Sequence, residues 1–126
     1  MKNIFFLIAC CGLVISCSNK NKVPTEIIQP FQMQKILWDV FRAEALSSEY
    51  ARRDSTINQV AELKILTEKV FQIYKINAST FDKSYKWYTG HQDVLKVIFD
   101  SLSSQAQRES KVEMTKKIKA IKKNPI

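Results

Sequence analysis

The sequence lacks the residues from which most metal and cofactor sites are built. Only three cysteines are present, all within the first 17 residues, and His91 is the sole histidine. A zinc or other transition-metal site needs several convergent ligands. A phosphate-binding loop needs glycines, of which the chain has two. We therefore predict that the protein binds no metal and no cofactor.

Sets of catalytic side chains are also missing. Ser84, His91 and Asp93 form a nominal hydrolase triad, but no G-x-S-x-G motif surrounds Ser84. Asp39 and Glu44 lie five residues apart, which on a helix turns their side chains about 140° from each other. Paired catalytic carboxylates must face one another. The sequence favours a protein that is not an enzyme, and an envelope hydrolase ranks lowest among the possible functions.

Long hydrophobic runs are limited to one, in residues 4–15, after a basic start that contains Lys2. A helix that spans a bilayer needs about 20 apolar residues, so this shorter run is typical of a secretory leader. Residues 13–17, Leu-Val-Ile-Ser-Cys, resemble the lipobox of bacterial lipoproteins. The resemblance implies a signal peptide in residues 1–16 and a Cys17 that carries diacylglycerol and fatty acyl chains such as palmitate. A rival lipobox ending at Cys10 leaves too short an apolar run before it.

Acidic residues are scarce near the C terminus. The chain has a formal net charge of +8, and its last 16 residues hold six lysines against the single acid Glu113. A basic chain often binds nucleic acid, but an exported lipoprotein does not meet it. We expect anionic lipid headgroups or an acidic protein to be the counter-charge.

Alternation of polar and apolar residues, the pattern of strands, is missing as well. Apolar residues recur instead at the spacing of helices. The sequence predicts an all-α protein, a small bundle of three to four helices. The bundle occupies residues 30–108, after a lipidated tether in residues 17–29 and before a basic tail in residues 109–126.

The predicted helices have capping signals at most ends. The first covers residues 31–50, and the second begins after an N-cap at Ser55 or Thr56 and ends near residue 76. A capping-box variant in residues 79–82 opens the third, and Gly90 is expected to end it in the left-handed conformation. The fourth runs from about residue 92 to 108. The expected core faces are Met33, Ile36, Leu37, Val40, Phe41 and Ala43; Val60, Leu63, Leu66, Val70, Phe71, Ile73 and Tyr74; Phe81, Ser84, Tyr85 and Tyr88; and Val94, Leu95, Ile98, Phe99, Leu102 and Ala106.

Two residues depart from these apolar faces. Glu44 falls inside the stripe of the first helix, where it either pairs with an arginine at the edge or makes a buried polar contact. Trp87 falls outside the aromatic stripe of the third helix, so we expect it to be exposed.

The basic tail has an apolar stripe of its own. Met114, Ile118 and Ile121 are rotated by about 120° from the core face of the fourth helix on a helical wheel. Either the helix breaks in residues 103–110, or the last stretch packs on something else. The tail is then either an amphipathic helix on a membrane surface or a solvated, frayed terminus. The candidate interaction residues of the whole chain are Asp39, Glu44, Trp87, Lys116, Lys119 and Lys123.

The order of several short motifs resembles a family of small Bacteroidota-type lipoproteins classed as a domain of unknown function. The motifs are Ile36-Leu37-Trp38-Asp39, Ala43-Glu44-Ala45, Ile76-Asn77, Phe81-x-x-Ser84-x-x-Trp87-Tyr88, Val94-Leu95 and Ile98-Phe99-Asp100. The resemblance covers residues 24–102. It implies an acylated cysteine, a helical domain and an envelope location, with Asp39, Glu44, Phe81, Ser84 and Tyr88 at the characteristic positions. Residues 54–56, Asp-Ser-Thr, also resemble an O-glycosylation site of such hosts.

The favoured function is a lipid-anchored envelope protein that binds or supports another envelope component. The alternative is a periplasmic chaperone-like module that binds unfolded polypeptides, with Trp87 in its groove. Residues 18–20 contain no acid, whereas surface-exported lipoproteins of such bacteria often carry acids after the cysteine. We therefore expect attachment to the outer membrane on its periplasmic side.

Overall fold

The computed structural model describes residues 22–123, which form four α-helices and no strand. The helices are α1 (Pro30–Arg53), α2 (Gln59–Ile73), α3 (Ala78–Thr89) and α4 (Gln92–Lys123). α1 packs against both α2 and α4, and α3 packs against α4. The prediction of a small all-α bundle is confirmed. The predicted signal peptide, Cys17 and residues 124–126 lie outside the described residues.

α1 begins at Pro30, whose missing N–H would have no partner in the first turn of a helix. Its N-cap, Gln29, makes no side-chain capping bond; the Gln29 amide donates instead to the carbonyl oxygens of Pro24 and Ile27, each at 3.1 Å. The helix extends to Arg53, and Arg52 and Arg53 in its last turn complement the negative end of the helix dipole. The predicted end at Tyr50 was therefore early by about one turn.

Two predicted helix starts were wrong, and asparagine explains both. Asn58 caps α2 by accepting a hydrogen bond from the Ala61 N–H at 3.1 Å, so Ser55 and Thr56 are not its cap. Asn77 caps α3 by accepting from the Thr80 N–H at 2.8 Å, in place of the capping box predicted for residues 79–82. Asparagine is as good an N-cap as serine. Residue type alone therefore does not tell which of the neighbouring polar residues caps the helix.

Two helix ends also differ from the prediction. Gly90 adopts a right-handed conformation with φ of −80°, because the chain turns straight into α4 and the His91 carbonyl accepts the Val94 and Leu95 N–H groups. The left-handed residue lies instead after α2, at Lys75 with φ of 54°. There the Ile76 N–H reaches the Phe71 carbonyl and the Lys75 N–H reaches that of Gln72, the Schellman pattern.

The fourth helix does not break. α4 continues for 32 residues to Lys123, about 48 Å at 1.5 Å per residue. Leu102 is its last buried residue, and every residue from 106 to 123 is exposed. We call residues 106–123 the α4 extension. Its apolar stripe must therefore face something other than the bundle.

The core contains part of each predicted apolar face. Met33, Ile36, Leu37 and Ala43 of α1 are buried, whereas Phe41 is 40% exposed and stacks on Phe99 with ring centroids 6.3 Å apart. Val60 and Ile73, both expected in the core, are 78% and 73% exposed. The full buried apolar set is Ile27, Ile28, Met33, Ile36, Leu37, Ala43, Val70, Phe71, Tyr88, Ile98 and Leu102.

Residues 23–29, expected to belong to the tether, form a strap over the core. Ile27 and Ile28 are 4% and 7% exposed, and the Ile27 N–H donates to the Pro24 carbonyl at 3.1 Å to close a turn. The peptide groups of Ile28 are held by α3: its N–H donates to Ser84 Oγ at 3.0 Å, and its carbonyl accepts from Tyr88 Oη at 2.7 Å. We call these two bonds the Ile28 clamp.

We expect the Ile28 clamp to be worth more than an ordinary surface contact. Tyr88→Phe leaves the buried Ile28 carbonyl without a partner, and Ser84→Ala does the same to its N–H. Each should lower the free energy of unfolding by about 1–3 kcal/mol, measured by urea denaturation. Tyr85→Phe, on the exposed side of α3, should change it by less than about 0.5 kcal/mol. Equal effects of all three substitutions would show that the clamp adds nothing.

Candidate functional site

An open groove lies between α1 and α2, with a volume of about 620 Å³. Its floor is apolar and its rim carries charges of both signs. The floor consists of Ala43, Ala45, Leu46, Leu66, Val70 and Ile73, and the rim of Asp39, Arg42, Glu49 and Lys69. We call this feature the α1–α2 groove. Its size is in the range of ligand pockets in proteins.

Helical spacing aligns these side chains along the groove. Ala43 and Leu46 of α1, and Leu66, Val70 and Ile73 of α2, recur every three or four residues, so each set lies along one side of its helix. Ala43 and Val70 are buried, whereas Leu46 and Ile73 are 39% and 73% exposed. The groove is therefore an apolar surface that the described chain only partly covers.

Asp39 lies at one end of the groove rim and is half-buried. Its Oδ2 accepts a hydrogen bond from Tyr74 Oη at 2.7 Å, and its Oδ1 lies 3.7 Å from Arg42 Nη1. Burial, and then the bond to Asp39, raise the pKa of the Tyr74 phenol to about 12. The Asp39 carboxylate is thus fixed in direction by two partners from its own chain.

Glu49 is the other rim carboxylate, and two arginines hold it. Its Oε1 accepts from Arg53 Nε at 2.6 Å, and its Oε2 pairs with the guanidinium of Arg52. These hydrogen bonds, Arg53 first, lower the pKa of the Glu49 carboxyl. Both rim acids therefore already have cationic or phenolic partners, and the floor offers mainly apolar contact.

Glu44 lies outside the buried stripe of α1, although the helical wheel placed it inside. Its side chain is exposed, which excludes a buried polar contact, and the described salt bridges do not include it. The buried stripe of α1 continues instead through Ala43 and Ser47, and Ser47 Oγ donates to the Glu44 carbonyl at 2.8 Å. The buried stripe of α1 is narrower than predicted, because Val40 is only half-buried and Phe41 is exposed.

Trp87 is half-buried, and the expectation of an exposed aromatic was wrong. Its ring meets Tyr88 edge-on at 5.1 Å between centroids and stacks on His91 at 3.8 Å. The His91 Nδ1 also lies 2.8 Å from the Trp87 carbonyl oxygen. Neither Trp87 nor Glu44 lines the α1–α2 groove, and Lys116, Lys119 and Lys123 lie on the α4 extension. Of the candidate residues, the groove contains only Asp39.

Ser84 of the nominal triad makes hydrogen bonds that hold the backbone together. Ser84 is fully buried, and its hydroxyl donates to the Thr80 carbonyl at 2.8 Å while accepting the Ile28 N–H. Within residues 22–123, no cluster of three or more His, Cys, Asp or Glu side chains could hold a metal ion.

None of the four described helices combines the length and hydropathy needed to cross a bilayer.

The groove was missed by sequence reasoning, although part of its signal is present. Ile73 is at the edge of the predicted α2 stripe, and Leu46 lies about 60° beyond the edge of the predicted α1 stripe. The distance between two helices depends on the side chains of both, so a wheel drawn for one helix does not show a groove.

The Tyr74–Asp39 bond predicts a loss of stability at alkaline pH. Because folding raises the pKa of Tyr74 from 10.0 to about 12, the folded state favours the neutral phenol. The stability from this group is fully present below pH 10 and is lost as the pH rises towards 12. Tyr74→Phe should therefore lose less unfolding free energy between those pH values than the unsubstituted protein does, in urea titrations.

Tyr50→Phe, which removes a phenol at 38% exposure, serves as the control and should behave like the unsubstituted protein. An equal alkaline loss in all three proteins would contradict the assignment.

Comparisons with known proteins show a family and no individual relative. A family model described as Domain of unknown function (DUF4296) matches residues 24–112. No curated protein and no solved structure matches the chain. The matched segment begins at the strap and takes in the Ile28 clamp, the α1–α2 groove and the first part of the α4 extension. Since the match covers well over half of the sequence, the chain belongs to the DUF4296 family.

Proposed function

We propose that the protein is a non-enzymatic lipoprotein of the cell envelope whose α1–α2 groove binds a segment of another envelope protein. The observation that carries the proposal is the partly covered apolar floor, where Leu46 and Ile73 stay 39% and 73% exposed between charged rims. Small soluble domains bury such residues where they can, since burying one leucine or isoleucine side chain contributes about 1.5–3 kcal/mol.

The chemistry of the groove suits a helical or extended peptide with apolar anchors. Floor residues spaced by three and four positions on two neighbouring helices form a trough that runs along both helices, the geometry used by proteins that bind an amphipathic helix. Asp39 and Glu49 already have partners in their own chain. Affinity then comes from the apolar floor, and the rim orients the bound segment.

The proposed attachment is acylation of Cys17 after removal of residues 1–16, at the periplasmic face of the outer membrane. The strap suits this arrangement, because the Ile28 clamp fixes the chain to the bundle 11 residues after Cys17. Two or three acyl chains, at about 0.8 kcal/mol per buried methylene, hold a protein far more firmly than one.

Mass spectrometry of the protein purified from its own membranes tests the attachment. We expect an N-terminal peptide that begins at Cys17 and carries the added mass of the diacylglycerol and fatty acyl groups. Cys17→Ser should remain uncleaved, whereas Cys10→Ser should be processed normally. A mature chain with an unmodified Cys17, or with residues 1–16 retained, would overturn the attachment.

Site-specific photo-crosslinking in cells tests the groove. A benzophenone side chain at Leu46 should capture one protein at fixed stoichiometry. The same group at Val60, which is 78% exposed and does not line the groove, should not. Ile73→Asp should weaken binding of that partner at least about tenfold, because it removes an apolar contact worth about 1.5–3 kcal/mol. Circular dichroism of the variant checks that the bundle is intact.

The result also separates the two binding functions. A chaperone-like module would give many crosslinked clients from Leu46, and it would suppress aggregation of unrelated unfolded proteins. That pattern, or equal crosslinking from Leu46 and Val60, would reject a dedicated partner in the groove.

A further inference from the structure

The α4 extension is a helix that buries none of its residues against the rest of the described chain. It begins about one turn after Leu102, the last buried residue of α4, and all of its side chains to Lys123 are exposed. At 1.5 Å per residue its 18 residues reach about 27 Å.

Three apolar side chains of the extension form one stripe. Met114, Ile118 and Ile121 are 61%, 48% and 70% exposed, and at 100° per residue they fall within an arc of about 60°. The centre of the stripe is turned by about 150° from the midpoint between the buried Ile98 and Leu102. Because α4 is unbroken, the stripe cannot rotate onto its own bundle.

Lysines flank this stripe on both sides. Lys111, Lys117 and Lys122 flank it, at roughly 40–80° from its centre on a helical wheel. Lys116, Lys119 and Lys123 lie on the opposite side of the helix. The only acid among residues 111–123 is Glu113, whose Oε1 lies 3.9 Å from Lys117 Nζ. Six lysines and one glutamate give this stretch a net charge of +5.

We propose that the α4 extension lies on an anionic phospholipid surface, with Met114, Ile118 and Ile121 in the acyl–headgroup boundary and the flanking lysines among the phosphates. A narrow apolar stripe between lysines is the pattern of helices that lie in the membrane interface. Lysine stems cover apolar surface while their ammonium groups stay at the headgroups.

The charge of the protein's own surface argues against a second copy as the occupant. The α1–α2 groove has Asp39 and Glu49 as its rim acids. These two acids are held by Tyr74, Arg42, Arg52 and Arg53. The rim also carries Lys69. The negative charges of this groove are neutralised by its own arginines, and Lys69 adds a positive charge. The groove therefore does not attract a helix of net charge +5.

A spin label that reports its depth tests the proposal in the full-length protein. The label is placed by Ile118→Cys on the apolar stripe or by Lys119→Cys on the opposite side. The unsubstituted protein, treated alike, corrects for signal from its own cysteines. Each protein is reconstituted into vesicles of phosphatidylcholine alone or with phosphatidylglycerol.

In the anionic vesicles the label at position 118 should become accessible to oxygen dissolved in the bilayer and protected from a water-soluble relaxing agent. In neutral vesicles it should stay accessible to water. The label at position 119 should face water in both, and raised ionic strength should reverse the change at position 118.

Substitution of the flanking lysines supplies the second measurement. Lys111→Gln, Lys117→Gln and Lys122→Gln together should lower the equilibrium constant for surface contact by about a hundredfold at low salt. The matched control, Lys64→Gln, Lys83→Gln and Lys86→Gln, makes the same change in net charge at exposed lysines outside the extension. It should leave the contact unchanged.

Three outcomes would overturn the proposal. The label at position 118 could face water in both kinds of vesicle. It could be immobilised but inaccessible to oxygen in both, with a second label at a fixed distance, which would identify a dimer. The two triple variants could also behave alike. None of these outcomes depends on whether the α1–α2 groove binds a partner or Cys17 is acylated, so the proposed function is tested separately.

Discussion

The Ile28 clamp is the interaction that fixes the N-terminal strap on the bundle. Ser84 and Tyr88, one turn apart on α3, satisfy the N–H and the carbonyl of one residue that lies 56 and 60 positions earlier in the chain. Both side chains are fully buried, so water does not compete for these bonds. The clamp seats Ile27 and Ile28 on the core and delivers the chain to Pro30, where α1 begins. It therefore joins the N-terminal end of the domain to α3, although α1 and α2 lie between them in sequence.

The periodicity of apolar residues predicted the features that depend on neighbours along one helix. It did not predict the features that depend on contacts between segments far apart in the sequence. The four helices and the buried residues Met33, Ile36 and Leu37 follow from apolar spacing. The burial of the strap does not, because Pro24 and Pro30 indicate only an extended chain, and the groups that hold Ile28 lie far away in sequence. The α1–α2 groove was missed for a related reason: it depends on the separation of two helices. Asp39 was identified as a candidate, but its bond to Tyr74 joins residues 35 positions apart.

In α4 the apolar stripe moves to a different side of the helix after Leu102, although the helix itself continues without a break. The sequence allowed either a break in residues 103–110 or a second packing surface. Residues 92–123 contain no glycine and no proline, and many of them, such as alanine, lysine, glutamate and glutamine, have high helix propensity, so local preference keeps the helix continuous. A continuous helix with two stripes about 120° apart has two different environments along its length. The first is the bundle, and the second must lie outside it.

The proposed anchor and the proposed lipid contact together would fix how the groove is presented. Val23 and Pro30 line the same surface hollow as Asp93 and Val94, so the two ends of the strap lie beside the start of α4. A single flexible tether would let the bundle rotate freely at the membrane. A second contact, beginning at Lys111 about 28 Å along α4 from its start, would hold one side of the bundle towards the membrane. The apolar floor of the α1–α2 groove would then meet its partner in a fixed orientation, which lowers the rotational entropy lost on binding. On this view the lysines of the extension contribute to affinity for the partner without touching it.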